Sequence, residues 1–399
     1  MTDNVQIDSL DEFALSKLQT MERNNSRRHL IVTDRSGPIE VIRDGKRYIS
    51  FSCNDYLNLS QHDKIKEAAI AGIERYGVGS GASRLVTGNH PQFDELEKKL
   101  AKFKGTESAV VFGSGYLANA GVIPTLIMKT DIVFSDELSH SCIHMGCQLS
   151  AGSSFSYHHN DLDHLEKLLL QHRDQHQRAL IVTDGVFSMD GDLAPVGELR
   201  DLADAHDAWL MTDDAHGIGV VGLGARGSSH VDLSRRKPHL QMGTLSKAIG
   251  GYGGYLCASK AVIDLIKTKC RTLIYSTGLP PSMVAAAIAS LDFIEANPAY
   301  AAKPLTKAQL FTSCLGLPEA TSPIVPVVLG ATDITMKAAE ILSEAGFLVV
   351  PIRPPTVPKG TGRLRFTFTA EHRDEDIIRL ADLVRAKIMQ EDALSKVGS

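Results

Sequence analysis

The sequence predicts an α/β protein with a largely parallel main sheet covered on both faces. Short apolar runs at residues 109–112, 132–134, 179–183, 208–212, 240–244 and 255–258 recur from about residue 106 onward, mostly separated by patterns of helical period. The runs are continuous rather than alternating, which is how strands buried from both sides read. Hydrophobic residues at 43%, charged residues at 22%, 33 Gly and 16 Pro in 399 residues are those of an ordinary globular chain and rule out a collagenous, disordered or coiled-coil one.

In chain order, residues 1 to 50 are expected to form an arm. One short amphipathic helix runs through Leu10, Phe13, Leu15 and Leu18, and the charged run Arg23 to Arg28 follows. A large domain over 51–290 comes next. Within it a helix is marked by Pro91 near its start, by Phe93, Leu96, Leu100 and Phe103 on one face, by Asp94/Lys98 and Glu95/Lys99 at i,i+4, and by Gly105 as a stop. After about 290 the pattern changes to strand-like runs at 324–329, 347–352 and 364–369. A last helix carries Ile377, Leu380, Ala381, Val384 and Ile388 on one stripe. Residues 291–399 are therefore expected to form a smaller α+β domain.

A net charge of −5 offers no basic excess for a phosphate backbone, so no nucleic-acid partner is expected. The opening residues are acidic, and nowhere do 18 apolar residues run together. No membrane span or export is therefore expected. Six cysteines without a Cys-x-x-Cys pair suit a reducing compartment, with cytoplasm as the default.

Four segments carry chemistry. Trp209-Leu-Met-Thr-Asp-Asp-Ala-His-Gly217 is a buried-looking strand ending in acids, where open α/β sheets place ligands. Taken alone, Asp213 or Asp214 could equally cap the next segment and His216 could be a satisfied loop histidine. Gly217, Gly219 and Gly222 match a dinucleotide fingerprint formally, but no helical stripe opens after them. Lys247, in Gly243-Thr-Leu-Ser-Lys-Ala-Ile-Gly-Gly-Tyr-Gly-Gly254, is flanked by hydroxyls and glycines, as a Schiff-base lysine requires for close approach of a cofactor. The order of residues is not that of a P-loop. Phe112-Gly-Ser-Gly-Tyr-Leu-Ala-Asn119 reads as strand, turn and helix, so its exposed N–H groups suit a phosphate. His140 and His144 have the spacing of two metal ligands. No third ligand lies nearby, so no metal is expected and His140 suits ring stacking or a core role instead.

Together these segments meet the needs of pyridoxal phosphate (PLP): a carboxylate for the ring nitrogen, a lysine for the aldehyde, and N–H and hydroxyl donors for the phosphate. At Asn54-Asp-Tyr-Leu, Gly79-Ser-Gly-Ala-Ser-Arg, Ser114-Gly-Tyr, Leu138-Ser-His, Val186-Phe-Ser-Met-Asp-Gly-Asp192, Asp213-Asp-Ala-His and Thr244-Leu-Ser-Lys247 the chain resembles the α-oxoamine synthases of the fold-type I PLP enzymes, from about residue 40 to 375. That resemblance implies a mostly parallel seven-stranded sheet and a homodimer with shared active sites. It makes Lys247 the cofactor lysine and proton-transfer base, Asp213 the partner of the ring nitrogen, His216 a donor to the ring hydroxyl, and His140 a stacking ring. Ser188 would contact the ring oxygen. Gly115, Tyr116 and Thr244 would bind phosphate, and Asn54 and Arg353 would hold the amino acid. Arg27 and Arg28 fit equally well as the arginine at the acyl end. At Asp184 many relatives carry Glu, so no role is carried over.

Within the family, Ile352-Arg-Pro-Pro-Thr-Val-Pro358 followed by Gly362-Arg-Leu-Arg is most similar to the branch that joins L-alanine to pimeloyl-CoA or a pimeloyl-carrier protein in biotin synthesis. Members that condense glycine or serine are the alternative. A nicotinamide oxidoreductase resting on Gly217–Gly222 is the reading from a different class; a non-catalytic scaffold would have no use for Asp213, His216 and Lys247 together.

Overall fold

The computed structural model describes residues 8–23 and 26–389. Seven strands build the main sheet: β1 (Ser108–Phe112), β2 (Ile132–Asp136), β3 (Ser153–Tyr157), β4 (Ala179–Asp184), β5 (Trp209–Asp213), β6 (Leu240–Thr244) and β7 (Gly254–Ala258). Their spatial order is β1-β7-β6-β5-β4-β2-β3. The five strands from β6 to β3 run parallel, and β7 alone is antiparallel to its neighbours.

Side-chain alternation explains why the sheet needs cover on both sides. Ala109 and Val111 pack with residues of the helices Pro91–Lys104 and Pro281–Ala296, whereas Val110 and Phe112 pack on the opposite face against Val122 and Ile123 of the helix Gly115–Leu126. Six strands fall on the apolar runs. The exception, β3, reads Ser-Ser-Phe-Ser-Tyr and lies at the sheet edge, where only Tyr157 is buried, so no apolar run announces it.

The helix Pro91–Lys104 has the expected stripe: Phe93, Leu96, Leu100 and Phe103 are buried, and Gly105 closes it in the left-handed conformation at φ +67°. Asp94 and Lys98 pair at 2.6 Å, whereas Lys99 reaches Asp292 instead of Glu95.

In the C-terminal lobe Ile324–Gly330, Gly362–Thr367 and Val350–Ile352 form an antiparallel three-stranded sheet. The helix Asp374–Lys387 lays Ile377, Leu380, Ala381 and Val384 onto the same core. The run at 347–352 is split, because Phe347–Leu348 pairs instead with Lys46–Ser50. The end of the expected arm therefore joins the C-terminal lobe, where Phe51 stacks on His372 at 4.1 Å. We keep the division at residues 50 and 290 as a proposal, with that shared sheet as the joint. The helix Ser9–Arg23 buries none of its residues. The run to Arg28 falls partly outside the described residues, as does the acidic start through residue 7. Among the described residues no helix is long and apolar enough to cross a membrane.

What matters for the site is where the parallel strands stop. Asp136, Asp184, Asp213 and Thr244 close β2, β4, β5 and β6 at one edge of the sheet. That carboxyl edge is where open α/β sheets hold ligands.

Candidate active site

A cavity of about 230 Å³ opens at that edge. Gly115, Tyr116, His140, Ser188, Asp213, His216, Thr244 and Lys247 all line it, joined by Ser114, Cys142, Asp184 and Ser246, to which sequence reasoning gave no place.

Asp213, which ends β5, and Asp214, which follows it, part ways. Asp213 faces the cavity; its Oδ1 accepts the Ala215 N–H at 2.8 Å and its Oδ2 the Asn119 side-chain amide at 2.7 Å. Asp214 turns away to a fully buried ion pair with Lys104 at 2.9 Å, and also accepts the Ser228 N–H at 2.9 Å. The glycine loop wraps this second carboxylate: a Cβ on Gly217 or Gly227 would lie 2.6 or 2.4 Å from its oxygens. Gly217 of the formal fingerprint thus serves a buried carboxylate, and only the short 3₁₀ turns Leu223–Ala225 and Ser228–His230 follow, with no α-helix to hold a dinucleotide. Removing one partner of such a pair typically costs about 3–5 kcal/mol.

Lys247 Nζ lies 2.7 Å from His216 Nε2, and the Tyr56 hydroxyl lies 2.6 Å from His216 Nδ1. Burial lowers the Lys247 amine to about 8, against the opposing pull of Asp213 and Asp184. Burial, helped by the charge of Lys247, holds His216 well below the usual histidine range, so the ring is neutral at pH 7. Burial also pushes the Tyr56 phenol up to about 12, so it keeps its hydrogen. With Lys247 as the free amine, Tyr56 donates to Nδ1 and Nε2–H donates to Nζ. The lysine lone pair is thereby held in one place.

At the other end, Ser114 caps the helix Gly115–Leu126 by accepting the Leu117 N–H at 3.2 Å. The Gly115 and Tyr116 amides, in the first turn, have no acceptor within the helix and present a site for an anion. Gly254 makes room for them, since a Cβ there would lie 2.6 Å from the Gly115 nitrogen. Thr244 Oγ1 donates to the Gly253 carbonyl at 2.8 Å and so fixes the turn that carries Lys247. An acid, a deprotonatable lysine and unpaired amides around one small cavity fit a flat, phosphorylated pyridine aldehyde.

Of the two residues expected to hold the amino acid, neither Asn54 nor Arg353 lines this cavity. Arg353 borders a separate groove with Arg27 and Arg28, its Nη1 2.7 Å from Met336 Sδ. Arg365 does not line the cavity either but braces its wall: its Nε donates to the carbonyl of the lining residue Ser188, and its two Nη atoms reach Asn54 Oδ1 at 3.2 and 3.3 Å. Its charge bears on Lys247, His216 and Tyr56 alike. Arg363 and Arg365 share one face of their strand and both are buried. Arg363 pairs with Asp190, whereas no carboxylate of the described residues pairs with Arg365. Its guanidinium is held by neutral acceptors only, so its charge stays uncompensated beside the cavity. A charged residue at every second position of an otherwise apolar strand is the signal that would have found it.

The chain matches the family described as aminotransferase class I and II over residues 46–384. It is 56% identical over 378 residues to the 8-amino-7-oxononanoate synthase of Beijerinckia indica subsp. indica, covering 95% of this chain and 98% of that one. To the 8-amino-7-oxononanoate synthase of Methylocella silvestris it is 60% identical over 347 residues, 87% of this chain and 99% of that one. A serine palmitoyltransferase from S. paucimobilis, solved with bound PLP and myriocin, superposes with a TM-score of 0.88 at 29% identity, covering 95% and 98% of the two chains.

Proposed function

The chain belongs to the aminotransferase class I and II family, and from that premise we propose that it is a PLP-dependent acyltransferase that condenses L-alanine with pimeloyl-CoA, or a pimeloyl-carrier protein, to give 8-amino-7-oxononanoate, the free thiol and carbon dioxide. The observation that carries the chemistry is the buried Lys247 amine, lowered to about 8 and held by His216 in the same cavity as Asp213 and the free amides of Gly115 and Tyr116. The choice of alanine and a pimeloyl thioester rests on the relatives. When bound, PLP supplies the electron-withdrawing ring that draws charge from the amino-acid Cα.

The protein's part is to hold and to move protons. With PLP bound, Asp213 would support the ring nitrogen, His140 would be the wall on which the ring stacks, and Ser188 and His216 would serve the ring oxygen. The helix amides would take the phosphate, and Thr244 shapes that end of the cavity through its bond to the Gly253 carbonyl. Lys247 Nζ anchors the cofactor and carries the proton to and from Cα. Asn54 orients Arg365, whose fork grips the alanine carboxylate. The test is an assay of purified enzyme loaded with PLP, offering alanine, glycine or serine with pimeloyl-CoA and pimeloyl-carrier protein, products identified by mass. A preference for glycine or serine would move the chain to another branch, and no condensation at all would sink the proposal.

Arg365→Ala is expected to lower alanine use by roughly 30- to several-thousand-fold, because losing one partner of a charged pair costs about 2–5 kcal/mol. PLP should still bind, with its capture shifted toward higher pH, because the Arg365 charge that lowers the Lys247 amine is gone. Arg353→Ala should be the milder of the two; the reverse order would return the clamp to Arg353.

We also infer a homodimer with shared active sites, in the cytoplasm. Val78, Leu85 and Val86 in the glycine-rich 77–88 stretch are exposed, as are Tyr275 and the cavity residue Tyr116, a set of apolar side chains that a second copy would cover. Sedimentation at micromolar concentration should give a dimer, and an active monomer would refute this.

A further inference from the structure

One buried side chain in the cavity wall has no place in the chemistry above. Cys142 stands between the two groups that address opposite parts of the ring. Its Sγ lies 2.8 Å from His140 Nδ1, and Asn119 Nδ2 lies 3.1 Å from the same sulfur. That Nδ2 also donates to Asp213 Oδ2 at 2.7 Å. An amide nitrogen carries two hydrogens, so both bonds form at once; the amide oxygen in its place would face a carboxylate that can only accept. With a sulfur lone pair taken by Asn119, the thiol hydrogen is left for His140 Nδ1. Burial pushes the thiol up to about 12, so that hydrogen persists at neutral pH.

The imidazole answers to this. Nδ1 has one lone pair, and it faces the Cys142 thiol at 2.8 Å; the Cys142 N–H, the cap of the helix Ser141–Leu149, stands farther off at 3.3 Å and shares it only weakly. A neutral ring with an accepting Nδ1 carries its proton on Nε2. Burial keeps the ring below the usual histidine range. The charged and titratable groups that bear on it are Asp213, Lys247 and His144, with Asp184 accepting its backbone N–H at 3.1 Å.

We propose that Cys142 is a positioning residue of this enzyme: through Asn119 on one side and its own thiol on the other, it ties the Asp213 carboxylate to the His140 imidazole and holds that ring as a single Nε2–H tautomer at the cavity wall. This rests on the proposed function for its purpose but not for its geometry.

The test is read first in the full chain without cofactor, labelled with ¹⁵N-histidine, with the His140 resonances identified by their loss in His140→Asn. Wild type and Cys142→Ser, which keeps a hydroxyl donor, should show only the Nε2–H form. Cys142→Ala, which leaves only the longer backbone N–H of residue 142 on Nδ1, should show the second tautomer in exchange with the first and a His140 titration raised by about half a unit or more, since the nearer donor favouring the neutral ring is gone. In the PLP-loaded enzyme, Cys142→Ala should lose several-fold in kcat with little change in KM for alanine, and Cys142→Ser should recover it. Three results would overturn the proposal: wild-type tautomer and titration in the alanine variant, mixed tautomers in a folded serine variant, or an altered tautomer with unchanged kcat. The tautomer readings need neither cofactor nor substrate, so their failure is distinct from failure of the proposed reaction.

Discussion

Lys247→Ala is expected to abolish turnover and leave the fold intact. The side chain is buried at the cavity, and its amine has His216 as partner. Removing it takes away the covalent anchor and the proton carrier together, and positioned proton transfer alone is worth about 10²–10⁴ in rate. The neutral His216 keeps its Tyr56 contact, and the Asp213 and Asp184 carboxylates, which lose a nearby cation, keep their own donors: the Ala215 N–H and the Asn119 amide on Asp213, and the His140 N–H on Asp184. The amine must be deprotonated to attack an aldehyde. With its value near 8, the free-amine fraction rises from about one-tenth at pH 7 to about nine-tenths at pH 9. The rate at which cofactor-free enzyme captures PLP should rise over the same interval and then level off. Borohydride reduction followed by peptide mapping locates the anchor, and a pyridoxyl label on any other lysine would overturn the assignment.

How far the site could be read from the sequence depended on whether a residue's role follows its local setting. Lys247 and Asp213 stand at strand ends beside glycines and polar turns, a setting that needs an explanation even in one dimension. The apolar runs announced six strands for a similar reason, since a strand covered on both faces writes its burial into every position. Edge strand β3 and the strands Glu40–Arg43 and Lys46–Ser50 bury little or one side only, and their sequences carry no such record. Arg365 was hidden by its neighbour. Arg363 and Arg365 look alike along the chain, and only the three-dimensional pairing of Arg363 with Asp190 leaves the other without an acid. Tyr56, Asn119 and Cys142 act through partners 160, 94 and 23 residues away, and no local pattern encodes such separations.

Asp213→Asn should depress turnover by about 10²–10³-fold or more, the range seen when one preorganised electrostatic partner of a reacting system is removed. The substitution preserves size but takes the negative charge from the group that supports the ring nitrogen, so charge developing at Cα is no longer drawn into the ring as effectively. It also disturbs the mounting. Asp213 accepts from two donors, the Ala215 N–H and the Asn119 amide, and an asparagine can offer an oxygen to only one of them. A second consequence has a definite sign. The Asp213 charge raises the Lys247 value, so losing it should move the amine below about 8 and shift PLP capture toward lower pH even as turnover falls. Slower turnover with an unshifted capture profile would mean that the aspartate acts on the ring alone, and wild-type behaviour in both would remove it from the site. Asp214→Asn makes the contrast. Its carboxylate is committed to Lys104 and the Ser228 N–H away from the cavity, so that variant should lose thermal stability while the folded fraction keeps its capture profile.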